Sequence, residues 1–241
     1  MDKSLILIGR SASVLFGCAT IIVVYLIGKE LFNKKVGLIA SLFLTLNYLH
    51  ISLSGVMKPD AVGIFWVMLT FLYAVKIMKK GLWKDYIYCA IIMGIAGSTK
   101  YYVVLLPAII AHFIYIYNLT GKDKWFYQAL KDRKMILLFI GFTVFIITSP
   151  YIVLDYKTLL DQLIKHYLMG QVSSIYRIST EYWLYKRFIY QLFITYPLMF
   201  GIPLFFLSII GTSLLVAKDG RKALLLLSYP VNFFFFAASI T

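Results

Sequence analysis

Charged side chains are scarce in this sequence. Only 14% of its 241 residues are Asp, Glu, Lys or Arg, 61% are hydrophobic, and the mean hydropathy is +0.85. Soluble domains carry about 25% charged residues, so the composition excludes an ordinary soluble fold and reads as an integral membrane protein. The alternating pattern of a transmembrane barrel strand is absent. So are a Gly-rich phosphate loop, a paired-cysteine zinc pattern, a His-Glu-x-x-His pair and a nucleophile elbow, which leaves soluble-type ATP or nicotinamide chemistry without support. Cysteine is nearly missing too. Cys18 and Cys89 both sit in apolar runs and read as membrane-buried free thiols rather than as a disulfide or a metal pair. No repeat of fixed period and no low-complexity tract breaks the chain.

What is present is a series of long apolar runs. A hydrocarbon core about 30 Å thick takes roughly 20 apolar helical residues per crossing. Eight such runs fall near 4 to 28, 36 to 54, 61 to 78, 85 to 99, 101 to 118, 135 to 153, 187 to 215 and 223 to 241. The expected fold is all-α: a polytopic membrane helical bundle of about eight transmembrane segments, forming one domain over residues 1–241. The first run is long, holds Arg10 and lacks a small-residue cleavage pattern, so it reads as a retained span rather than a signal peptide.

The formal charge of +14 does not point to nucleic acid, because of where the cations lie. With alternating segments and the N-terminus outside, 15 of the 24 cations fall in four inner loops, around Lys29 to Lys35, Lys76 to Lys84, Lys122 to Lys134 and Lys218 to Lys222. The positive-inside rule therefore predicts a multi-pass protein of the cell membrane with its N-terminus outside. The same count divides the run from Asp85 to Tyr117. One long helix would put the basic loop after it outside, so the chain is expected to reverse at Gly97-Ser98-Thr99-Lys100. Asn118-Leu119-Thr120 matches a glycosylation sequon but falls on the inner side.

The largest polar region is the outer loop, within which residues 154–186 are expected to form an interfacial helix and loop. KTLLDQLIKHYLM puts Leu159, Leu160, Leu163, Ile164, Tyr167 and Leu168 on one face, as an amphipathic helix on the membrane surface would. The rest mixes polar residues with Tyr176, Tyr182 and Trp183.

Ionisable residues at membrane depth are costly and mark candidate sites. On the outer side these are Arg10, Lys58, Asp60, Lys100, Asp155, Asp161, Arg177 and Glu181, joined by His50. Asp60 follows Pro59 at the start of a helix, which suits a cap; alternatively it is a rim carboxylate that orients an acceptor or holds a divalent metal ion. Arg10 and Lys100 either snorkel to the interface or bind a phosphate, where they would stabilise the charge of a departing lipid phosphate.

Taken in order, RSASVLFGCATIIVVYLIGKELFNKKVGLIASLFLTLNYLHISLS, KPDAVGIFW, GIAGSTKYY and SPYIVLDYKTLLDQL closely resemble glycosyltransferases of the GT-C fold, over residues 1 to about 215. The nearest group is the protein mannosyltransferase and aminoarabinose transferase-like family, glycosyltransferase family 39. The resemblance implies transfer of a sugar from a polyprenyl-phosphate carrier to a lipid, glycan or protein acceptor at the outer face, with membrane lipids as surroundings and no nucleic acid. It puts Arg10 and Lys100 at the donor phosphate and Asp60, with Lys58 and His50, near the acceptor or a metal. Tyr101, Arg177 and Glu181 are further outer-loop candidates.

Members of that family carry an additional first helix and an acidic outer loop that supplies the base, and further spans after the last one here. Asp2 does not match the base. The expectation is therefore a fragment, split gene product or degenerate paralogue that is inactive alone. A lipid-linked sugar transporter or flippase-like protein, and a non-catalytic membrane subunit, are the alternatives; the first predicts mid-membrane charges and an inverted repeat, which this pattern lacks.

Overall fold

The computed structural model describes residues 3–100, 105–121, 124–158, 160–161 and 189–240, and among them no strand occurs. The described part of the chain is all-helical, as expected. Most of the predicted outer-side helix and loop, including Arg177 and Glu181, lies outside the described residues.

Helix α1 (Lys3–Leu31) is a single apolar rod of 29 residues. Asn33 caps α2 (Lys34–Thr45) by accepting the Val36 N–H at 3.0 Å. The expected run 36 to 54 does not continue straight. The Asn47 side chain accepts the His50 N–H at 2.9 Å and starts a new helix, α3 (Tyr48–Ser54), bent 64° from α2. Such a side chain competes with the helical backbone pattern and favours a restart. Helix α4 (Pro59–Lys80) opens with Pro59 at its first position, where no N–H is needed, and closes on Gly81 in the left-handed region at φ 54.

The run from Asp85 to Tyr117 is divided, as expected, into α5 (Trp83–Lys100) and α6 (Leu105–Thr120), but Gly97 to Lys100, the expected reversal, are the last turn of α5 and the break falls after them. Gly81, just before α5, lies against the Tyr115 ring of α6, so α5 runs away from this end and α6 returns to it. The run 135 to 153 is broken into α8 (Arg133–Leu137), α9 (Ile140–Thr148) and α10 (Tyr151–Leu154), preceded by α7 (Trp125–Lys131). Asp132 caps α8 through Lys134 N at 2.9 Å, and α9 stops at Ser149, the residue before Pro150. The run 187 to 215 is likewise broken. A π-helical turn (Gln191–Thr195) leads into α11 (Tyr196–Phe200), and Gly201 at φ 80 turns the chain by 110° into α12 (Ile202–Lys218). Helix α13 (Gly220–Ile240) follows.

Among the described residues two helices, α1 and α4, are by themselves long and apolar enough to cross a membrane, and counting each bent pair as one span gives up to four. The surface is that of a membrane protein. Leu7, Leu15 and Ile22 on α1 and Leu214 on α12 are more than 60% exposed, which water would penalise and lipid does not.

Helices α1 and α4 run in the same direction: the Phe16 and Phe65 rings are 5.2 Å apart, and toward the C-termini Lys79 Nζ is 3.6 Å from Glu30 Oε2. Helix α5 runs against α4, with Cys89 Sγ 3.7 Å from the Thr70 carbonyl. Small residues set the spacing, as in other lipid-embedded helix pairs. A Cβ on Gly28 would lie 2.7 Å from Gly37 Cα, which brings α2 onto α1; a Cβ on Gly94 would lie 2.5 Å from the Gly141 carbonyl oxygen, which brings α9 onto α5. The main core joins α1, α4, α5 and α6 around Ala74, Val75, Ile77, Ala108 and Ala111. A smaller cluster of Val67, Met93 and Ala96 packs against Tyr229 of α13. The bundle thus has two ends, one carrying Asp60 and the other Gly81.

Candidate functional site at the Asp60 end

Helix register decides which sequence candidates meet. Phe16 of α1 is level with Phe65 and Trp66 of α4, at ring distances of 5.2 and 6.2 Å. Six residues back along each of these parallel helices, about 9 Å, stand Arg10 and Asp60. On α5 the contact of Cys89 with Thr70 sets the antiparallel register. Ten residues up α4 from Thr70 is Asp60 and eleven along α5 from Cys89 is Lys100, about 15 to 17 Å in each case. Backbone positions from three helices, Arg10, Asp60 and Lys100, therefore arrive at one level of the bundle.

Each position has a local cause. Lys58, not Asp60, occupies the N-cap of α4, and it makes no side-chain cap hydrogen bond. This corrects the cap reading: Asp60 stands inside the first turn, half-buried, where the unpaired N–H groups and the helix dipole favour a negative charge. Lys58 is exposed beside it. Arg10 is exposed on α1, one residue after Gly9, whose bare face is covered by Met57 from the α3–α4 turn. Lys100 ends α5 after Ser98 and Thr99, whose hydroxyls donate to the Gly94 and Ala96 carbonyls at 3.0 and 2.7 Å. The Ser98 hydroxyl also meets that of Thr148, tying the end of α5 to α9. Tyr101, Arg177 and Glu181 lie outside the described residues, as does the side chain of Lys100.

His50 departs from the rim reading. It is half-buried, with Nε2 3.9 Å from where a Gly17 Cβ would stand, and Gly17 is seven residues, about 10 Å, further along α1 than Arg10. The Asn47 cap and the Ser54 hydroxyl, which donates to the His50 carbonyl at 2.7 Å, hold this part of α3 in place. Among the described residues no group of three or more His, Cys, Asp or Glu that could hold a metal occurs, so Asp60 belongs to no such group there. Beneath the site Phe16, Phe65 and Trp66 form a three-ring cluster, with Phe65 and Trp66 5.0 Å apart. Sequence reasoning passed over these rings, because aromatic residues are common in every apolar run of this chain.

A second polar assembly, also passed over, lies at the Gly81 end. Tyr86 and His112 are both fully buried, with Oη 2.6 Å from Nδ1, and His112 Nε2 is 3.0 Å from the Ala129 carbonyl oxygen. A carbonyl only accepts, so Nε2 carries the proton, Nδ1 accepts and the Tyr86 hydroxyl donates. Lys134 donates to the Gly81 carbonyl at 2.8 Å and lies over the Tyr115 ring. Asp85, in the first turn of α5, is 4% exposed, and its Oδ2 has no hydrogen-bond partner among the described residues. These groups join α5, α6 and α7, and nothing among them resembles a substrate cleft.

Lys29, Lys34, Lys79, Lys134 and Arg221, which charge counting put on one side of the membrane, gather at this Gly81 end, opposite Asp60.

Apolar exterior, helical interior and polar groups gathered at the ends define an α-helical membrane protein. The family model for dolichyl-phosphate-mannose-protein mannosyltransferase matches residues 4–154, and the chain belongs to that family, a family of membrane glycosyltransferases. The match contains Arg10, His50, Lys58, Asp60, Lys100 and Tyr101 and ends before Arg177 and Glu181, short of the residue 215 to which the resemblance was expected to run. No curated protein and no solved structure matches the chain.

Proposed function

We propose that the chain is the membrane part of a multi-pass glycosyltransferase of the cell membrane, with its N-terminus and its Asp60 end at the outer face. There it takes a sugar, mannose by the family's description, from a polyprenyl-phosphate donor to a lipid, glycan or protein acceptor. The observation that carries this reading is the common level of Arg10, Asp60 and Lys100 in a chain of that family. Breaking the bond between the sugar and its phosphate leaves negative charge on the phosphate oxygens. Two cations held at the membrane surface stabilise that charge more than they stabilise the intact donor, which is what lowers a barrier. Arg10 offers the planar fork that suits a phosphate, and Lys100 a point charge.

Asp60, half-buried at the helix start, orients the acceptor or a cation near the phosphate. The base that would take the acceptor's proton is assigned to none of these residues, so the chain by itself is proposed to bind donor without transferring sugar.

The test is binding of polyprenyl phosphate to the purified chain in detergent. Arg10→Gln with Lys100→Gln should weaken it at least 10-fold, since charge-assisted hydrogen bonds to phosphate are worth roughly 1.5–3 kcal/mol each. Asp60→Asn should leave it equal or tighter. Unchanged affinity in the double variant would remove the phosphate role.

A further inference from the structure

At the Gly81 end a cleft of about 670 Å³ opens between α6 and the start of α13. One wall is aromatic: Trp125 stands edge-on to Phe113 at 6.0 Å and to Tyr117 at 5.6 Å. The mouth carries Lys218 and Arg221, both exposed. Arg221 lies over the Tyr117 ring at 5.8 Å and donates through one nitrogen to the Asn118 side-chain oxygen, which orients the guanidinium and leaves other donors available. The acidic group at the mouth, Asp219, is already matched, because Lys222 Nζ is 3.0 Å from its Oδ2. The cations of the mouth therefore exceed its acids by two charges. The floor is apolar, with Ile114 buried and Leu224 54% exposed on the outer surface of α13.

A cationic mouth, a Trp–Tyr wall and an apolar floor that continues onto the helix surface match one class of ligand, a lipid with an anionic head and acyl chains. A soluble phosphate would use the mouth alone and leave the aromatic wall and floor facing water. We infer that this cleft holds the head group of an anionic phospholipid in the leaflet opposite the proposed transfer site, with an acyl chain lying along α13 past Leu224. The lipid would bridge α6 and α13.

Native mass spectrometry of the full chain, released from detergent containing equal phosphatidylglycerol and phosphatidylcholine, reads this out. The wild type should retain phosphatidylglycerol at least 10-fold over phosphatidylcholine. Lys218→Gln with Arg221→Gln should lower that retention about 30-fold, since an interfacial cation contributes roughly a fivefold factor. Lys34→Gln with Lys35→Gln removes the same charge at the same end from residues that do not line the cleft, and should change retention less than threefold. Arg221→Lys, which keeps the charge, should also stay within threefold, and it carries the test if the double variant does not fold. Equal retention of both lipids, an equal loss in the Lys34 and Lys35 control, or a large loss in Arg221→Lys would overturn the proposal. So would displacement of the lipid by millimolar glycerol phosphate, which would make the ligand a soluble phosphate.

Discussion

Tyr86→Phe isolates the hydrogen bond that joins α5 to α6. Both partners are fully buried, and the 2.6 Å Tyr86–His112 bond is one link of a chain that continues at 3.0 Å to the Ala129 carbonyl of α7. Phenylalanine keeps the ring, including its edge-on contact with the His112 ring at 5.6 Å, and removes only the hydroxyl. Because Nε2 is committed to the carbonyl, His112 cannot change tautomer to recover the loss without breaking its second bond. Nδ1 is left as a buried acceptor without a donor, which costs about 1–3 kcal/mol. Side-chain bonds between helices in a bilayer measure lower, about 0.6 kcal/mol on average, because the unfolded helices find other partners. The expectation for Tyr86→Phe is therefore about 1–2 kcal/mol, read by thermal or denaturant unfolding in detergent micelles. His112→Phe should cost as much or more, and the double variant less than the sum, with a coupling of about 1 kcal/mol. An effect in Tyr86→Phe below about 0.3 kcal/mol, or strict additivity in the cycle, would refute the assigned tautomer and with it the link.

Gly28→Val should be more damaging than either, by several kcal/mol or by expulsion of α2, because even a Cβ would stand 2.7 Å from Gly37 Cα; unfolding of the variant beside Gly211→Val, where nothing lies within 4 Å, is the check. Asp219, between α12 and α13, gives a pH dependence. Burial pushes its carboxyl up, but hydrogen bonds from the Lys222 side chain and backbone and the Lys222 and Arg221 charges outweigh this and hold it below the ordinary value of 3.8. A depressed carboxyl contributes stability that is complete above about pH 4 and is lost as pH falls through the lower folded value. Asp219→Asn should therefore flatten the stability profile below pH 4 and leave its upper part with the same slope.

The sequence was read well where a single residue acts on its own backbone. Pro59 opens α4, and the cation count divided α5 from α6, although a few residues earlier than the helix ends. It was read less well where a side chain redirects an apolar run. Asn47 bends 36 to 54 into two helices, and Pro150 and Gly201 break runs that hydropathy joins, because an average over a window does not register one cap or one positive φ. Asp85, Tyr86 and His112 were missed for another reason. Attention to ionisable groups at one face of the membrane passed over the buried ones at the other, although a histidine inside LLPAIIAHFIYIY is itself a signal.

Composition and cation distribution by themselves determined that this chain is helical, membrane-embedded and polar at its ends, since those properties are sums over residues and need no contacts. Register belongs to the tertiary structure. Arg10, Asp60 and Lys100 are 40 to 90 residues apart, and only the parallel packing of α1 on α4, with Phe16 against Phe65, and the antiparallel packing of α5 on α4, with Cys89 against Thr70, bring their backbones to one level. The same packing takes His50 deeper, against Gly17, because sliding a helix by one turn moves a side chain about 5 Å without changing any periodicity that a sequence displays.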